Sequence, residues 1–251
     1  MLIFTVNILT VLALYILLHI DHKPVWWHSQ DMGSQTIKYT IIIADDHPLF
    51  RAAMQAALKQ ALDDPEIHEA GSVGALQNIL ESSSAPDLIL LDLHMPGAHG
   101  LSGLIFLRGH YPEVPVVIVS ATDDVQVIQK ALKHGSSGFI PKSSSLNILK
   151  EAILKVLDGE TWLPCPVDMP DTDITNDIEE KLASLTPQQF RVLGMISEGL
   201  LNKQIAYELE VSEATIKAHI TAIFKKLGVR SRTQAVIALK ELEIDPPKSN
   251  E

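Results

Sequence analysis

Five polar side chains carry the chemistry this sequence offers. Asp45 and Asp46 are adjacent, Asp92 follows LILL, Ser120 follows VVIV, and Lys142 closes GFIPK. Three carboxylates drawn together repel one another and need a cation. Mg2+ prefers oxygen donors of this kind and suits a site that also binds phosphate. Lys142 adds positive charge for phosphate oxygens, and the Ser120 hydroxyl can donate a hydrogen bond to one of them. Taken singly, each residue has a commonplace role, since acids cap helices, serines end strands and lysines are solvated. Their shared position is what counts, because each ends or follows a short apolar run.

The runs are YTIIIADD, PEIHEA, DLILLD, VPVVIVS and GFIPK, and helical periodicity lies between them at about 48–62, 72–81, 101–110, 125–134 and 145–158. Short continuous apolar strands alternating with helices predict α/β architecture, a doubly wound five-stranded parallel sheet covered on both faces. Ligands in such sheets bind beyond the carboxyl ends of the strands. That edge is where the five polar residues fall.

The motifs ADDHPLFR, LILLDLHMPGAHG, VIVSA and GFIPK, in this order, closely resemble the receiver domain of two-component response regulators, from about Lys38 to Gly159. The resemblance implies a flavodoxin-like fold in which a sensor histidine kinase phosphorylates Asp92. Asp46 and Asp92 would bind Mg2+ directly, Asp45 mostly through water, and the backbone carbonyl of His94 would be the third protein ligand. The His94 and His99 side chains are therefore poor evidence for zinc. In-line attack by the carboxylate would proceed while Mg2+ and Lys142 neutralise equatorial oxygen charge. Ser120 would then bond the phosphoryl oxygen and Phe139 would turn inward, biasing the face formed by the fourth helix, fifth strand and fifth helix. Without the resemblance, Phe139 reads as an ordinary core aromatic.

The C-terminal part has explicit helix punctuation. Thr186 with Gln189 and Ser231 with Gln234 fit capping boxes, Pro187 sits at a first helical position, and Asn202 and Ser212 are further N-cap candidates. Four helices are expected, at about 187–198, 203–209, 213–227 and 232–243, with a tight turn at Glu210 to Val211 between the second and third. That spacing predicts a helix-turn-helix. In the third helix, Ile216, Ile220, Ile223, Phe224 and Leu227 share an inward face, while Ala214, Ala218, Thr221, Ala222 and Lys225 lie opposite, with Lys217 on the flank. Small residues let a helix approach a major groove closely, and the lysines can reach phosphates or guanine edges. Periodicity alone also admits a surface helix of an α-helical interaction module.

This segment resembles the four-helix DNA-binding domain of the LuxR/NarL class, whose third helix enters the major groove and whose fourth helps dimerise. The resemblance implies that Lys217, Ala218 and Thr221 face bases and that Lys203, His219 and Lys225 face the backbone, with Thr215 also at the DNA surface. Some regulators of the class carry lysine where this chain has Thr221, so the resemblance does not fix the DNA sequence read here. The implied partners are a sensor kinase, double-stranded promoter DNA, a second copy of the chain and RNA polymerase.

Composition supports this division. The chain of 251 residues has a net charge of −11, but from Lys181 onward ten Lys/Arg face eight Asp/Glu, leaving residues 1–180 at −13. The net charge argues against whole-molecule attraction to nucleic acid, but not against binding by the mildly basic end. The expected organisation is a hydrophobic segment at 1–37, a phosphoacceptor domain at 38–158, an extended or partly disordered linker at 159–183 with three prolines, and a helix-turn-helix domain at 184–245. Cys165, the single cysteine, fits a reducing, cytoplasmic setting. Leu2 to Ile20 has no Asp, Glu, Lys or Arg and is about long enough to cross a bilayer, with Trp26 and Trp27 following at an interfacial position. It reads as a membrane anchor, or else translation starts at Met32, whose short polar leader runs into the first strand. A phosphatase or phosphotransferase would use the same acids, but no DxD-type second acid accompanies Asp92. The expectation is a regulator rather than an enzyme.

Overall fold

A computed structural model of the chain describes residues 38–167, 177–240 and 242. The hydrophobic N-terminal segment and the middle of the linker lie outside the described residues. Among the described residues, no helix is long and apolar enough to cross a membrane.

Five parallel strands, β1 (Thr40–Ala44), β2 (Glu66–Ala70), β3 (Leu88–Asp92), β4 (Val116–Ser120) and β5 (Gly138–Pro141), lie in the order β2-β1-β3-β4-β5. The helices between and after them are α1 (Pro48–Ala61), α2 (Val73–Ser82), α3 (Ser102–His110), α4 (Val125–Lys133) and α5 (Leu146–Leu157). All five strand and helix positions expected from the sequence are present, with ends shifted by a residue or so.

Alternation along the strands divides the core. Ile41, Ile43, Leu88, Leu90, Val117 and Val119 face α1 and α5, while Ile42, Ala44, Ile89 and Leu91 face the other side, where α2, α3 and α4 pack. β1, β3 and β4 are apolar between their end residues because both faces are covered, with Asp92 and Ser120 closing β3 and β4, whereas the edge strand β2 keeps Glu66 and Glu69. This construction fixes Asp45, Asp92 and Ser120 at one end of three neighbouring strands.

The C-terminal part forms α6 (Asp177–Ala183), α7 (Pro187–Ser197), α8 (Asn202–Glu208), α9 (Glu213–Leu227) and α10 (Arg232–Lys240). The linker expectation needs two corrections. DIEEKLA is helix α6, because Leu182 is buried against the core and so stabilises a turn that propensity alone leaves open. Trp162 bridges Gly138 beside the sheet, Phe139 N donating to Trp162 O at 3.1 Å, so the first linker residues extend the sheet.

Caps explain the helix ends. The Thr186/Gln189 capping box is complete, and Ser212 accepts from Thr215 N. Asn202 is the first helical residue instead of the cap, since Gln204 Oε1 reaches back to Leu201 N at 2.7 Å. At the last helix Gln234 N donates to Ser231, but the Gln234 side chain accepts from Arg230 N, one residue earlier than a capping box requires. Glu210 takes the left-handed conformation in the turn between α8 and α9, at φ 53°.

Candidate functional site

Asp45, Asp92 and Lys142 converge at the carboxyl edge of the sheet. Lys142 Nζ lies 2.7 Å from Asp45 Oδ2 and donates to Asp92 Oδ2 at 2.9 Å, with both carboxylates buried. The lysine also sits 5.0 Å from the centre of the Phe50 ring. Burial opposes its charge, but bonding to Asp45 and Asp92 outweighs that and raises its pKa above the ordinary lysine value.

Asp46 stands beside Asp45, only partly exposed, and His47 joins the group. His47 Nδ1 lies 3.2 Å from Asp45 Oδ1 and 2.5 Å from Asp46 Oδ1. The four residues Asp45, Asp46, His47 and Asp92 each place a ligand atom within 4.8 Å of the others. Asp46 Oδ1 and Asp92 Oδ1 are buried without an aligned hydrogen-bond donor among the described residues. Buried carboxylate oxygens left this way are costly unless a cation or a reacting group meets them. The donor set, oxygen-rich and divided between two strand ends, fits Mg2+.

Ser120 is fully buried at the end of β4, its Oγ accepting from Thr122 N at 3.4 Å, and its carbonyl accepts from Lys142 N. Phe139, expected to turn inward, already lies inward and is fully buried in the second-layer core with α3 and α4. His94 exposes its side chain two residues past Asp92. His99 does not approach the acids; its Nε2 meets Ser197 Oγ of α7 at 2.5 Å.

The second group lies on α9. Ile216, Ile223 and Leu227 are buried against α7 and α8, while Thr215, Lys217, Ala218, Thr221 and Lys225 are exposed. Lys203 on α8 is exposed as well, and His219 is half-buried at the edge. Thr221 returns its hydroxyl to Lys217 O at 2.9 Å, which leaves its methyl group on the open face.

Residues 41–154 match the response regulator receiver domain family, and residues 183–239 match the bacterial regulatory proteins of the luxR family. The glycerol metabolism activator of Pseudomonas putida is 41% identical over 82% of this chain and 96% of its own. The nitrate/nitrite response regulator NarL of Escherichia coli K12 is 33% identical over 79% of this chain and 93% of its own. The chain belongs to the response regulators with a LuxR-type DNA-binding domain. Among solved structures, the RcsB response regulator bound to DNA is similar at 22% identity, covering 82% of this chain and 99% of that one, with a TM-score of 0.47.

The chain is thus a response regulator whose receiver domain precedes a LuxR-type helix-turn-helix, in a family of DNA-binding transcription regulators. Every receiver position that the motifs pointed to is at the same sheet edge, Phe139 excepted, which lies one layer below. The sequence motifs do not single out His47 and Phe50 as site residues. The adjacency of His47 to two acids was the available signal, while Phe50 had none, because only the return of α1 over the sheet brings its ring under Lys142.

Proposed function

We propose that Asp92 is the phosphoacceptor of this response regulator and that α9 is its DNA-reading element. The observation that carries the first assignment is the state of the Asp92 carboxylate. It is buried at the end of the central strand, with Oδ2 held by Lys142 and Oδ1 lacking a donor. Oδ1 is therefore the nucleophilic oxygen. It attacks phosphorus of a phosphohistidine on the partner kinase, the P–N bond breaks, and the imidazole nitrogen keeps the electron pair. Asp46, Asp92 and the His94 carbonyl would hold Mg2+, with Asp45 acting through water; the ion supplies charge neutralisation at the phosphoryl oxygens. Lys142 then serves the phosphoryl group as a fixed cation, and the Ser120 hydroxyl turns from Thr122 N to a phosphoryl oxygen.

On α9, Lys217, Ala218 and Thr221 meet base edges, with Lys203, Thr215, His219 and Lys225 at the backbone. Because the middle of the exposed face of α9 carries Ala218 and Thr221, the fit rests on close approach and methyl contact as much as on charge. The domain boundaries we assign are 38–158 for the receiver and 184–245 for the DNA-binding domain. Phosphorylation pairs two chains on promoter DNA in the cytoplasm, where RNA polymerase is the downstream partner. No separate catalytic activity is assigned.

Incubation with acetyl phosphate and Mg2+ tests the acceptor. Asp92→Asn abolishes acid-stable, base-labile labelling if the assignment holds, and continued labelling of that variant would overturn it.

A further inference from the structure

The receiver and the LuxR-type domain pack together through one stripe of α7. Pro187 O accepts from Gln77 Nε2 at 3.1 Å, Phe190 stacks on Phe106, Arg191 donates to Asn78 at 3.3 Å, and Ser197 meets His99. These positions recur every three or four residues and therefore share one side of the helix. Gly194 lies on the same stripe, so close to the receiver that a Cβ there would come within 2.5 Å of Gly97 O. Beyond α7, Gly109 adjoins Ala183 of α6, and Leu101 N donates to Leu242 O just past α10.

The opposite side of α7 holds α9. Lys226 donates to Gln189 Oε1 at 2.8 Å, and Ile216, Ile223 and Leu227 join Val192, Leu193 and Ile196 in one core. At 100° per residue, Ala214, Ala218, Thr221 and Lys225 lie roughly 120–180° from that buried stripe. The order in space is receiver, α7, α9, and then the exposed reading face. The receiver is thus attached behind the reading helix.

We propose that the docked chain binds a single DNA half-site without undocking. The receiver then governs the pairing of two chains on DNA and leaves access to the reading face unchanged. This rests on the assignment of α9 as the DNA-reading helix.

Three forms of the full chain in a Cys165→Ser background test it. In one, Asn78→Cys and Arg191→Cys are joined by a short bis-maleimide, which locks the docked arrangement; the second is the same pair left unjoined. The third is Gly194→Ala, whose new methyl group must push Gly97 away. The probe is a fluorescein-labelled duplex carrying one half-site from a footprint of the parent chain, with random-sequence duplex as reference, read by anisotropy. The proposal expects half-site affinities of the three forms to agree within about threefold, a difference of well under 1.4 kcal/mol. A locked form about tenfold weaker than Gly194→Ala overturns it while leaving the α9 assignment intact. Equal, sequence-independent binding by all three overturns that assignment, and the proposal with it.

Discussion

Phe106 of the receiver and Phe190 of the DNA-binding domain stack with ring centroids 4.3 Å apart and planes 13° from parallel. Both rings are buried, so each domain completes part of its core with a side chain from the other. Phe190→Ala is expected to cost about 3 kcal/mol, the range for deleting a buried aromatic. A double-mutant cycle of Phe106→Leu with Phe190→Leu should show a coupling of about 1 kcal/mol in urea denaturation of the full chain. Strict additivity would mean that the two rings do not meet in solution.

His134 ties the receiver to α6 through a contact of 3.4 Å between its Nδ1 and Glu179 Oε2. Burial lowers its pKa below the ordinary 6.5; Glu179 pulls it back up, and Lys133 and Lys130 add to the lowering. The folded chain therefore holds the neutral ring while the unfolded chain takes up a proton first. Stability is full above about pH 6.5 and is lost as pH falls from there through the lowered folded value. Denaturation midpoints measured from pH 7.5 to 5 should decline, and His134→Gln should flatten the decline. An unchanged slope in that variant would assign the effect to other groups.

The receiver edge was legible because each of its polar residues stands directly after a buried strand, and strand runs announce themselves by composition. Alternation within TIIIA and LILLD could not be seen in the sequence, since both faces are apolar; only the two separate cores reveal it. Helix α9 was legible from Ile216, Ile223 and Leu227 on one side and alanines on the other. Helix α6 was not, because its acidic first turn looks like solvated tether, while Leu182, with Ile178 and Ala183 beside it, gains its packing from elements distant in sequence. Nor was the docking stripe. Gly97 and Gly194 are ordinary loop and helix glycines until the backbones they bring together are known.

Lys142 neutralises two buried carboxylates, so its removal leaves Asp45 and Asp92 facing one another without a cation. Lys142→Ala should destabilise the chain by about 3 kcal/mol in metal-free buffer, the scale for breaking a buried pair by deleting one partner. A Mg2+ ion held by the folded site and not by the unfolded chain should raise the thermal midpoint of the variant according to its affinity. Thermal scans with and without millimolar Mg2+ check both. A variant as stable as the parent without metal would show that solvent already compensates the acids.

Substitutions at Lys217 and Lys203 test base reading against backbone attachment. Lys217 flanks the alanines of α9, exposed and one turn before Thr221, whereas Lys203 projects from the first turn of α8. If Lys217 meets a guanine edge, Lys217→Ala should cost about 1–3 kcal/mol on the specific site and relax the sequence preference at one position. Lys203→Ala should instead weaken binding by similar amounts on specific and random duplexes and lower the salt dependence by about one counterion. Anisotropy titrations over a range of salt concentrations distinguish the two patterns. Equal loss on specific and random DNA for Lys217→Ala would move that lysine to the phosphate backbone and leave Ala218 and Thr221 as the residues that read bases.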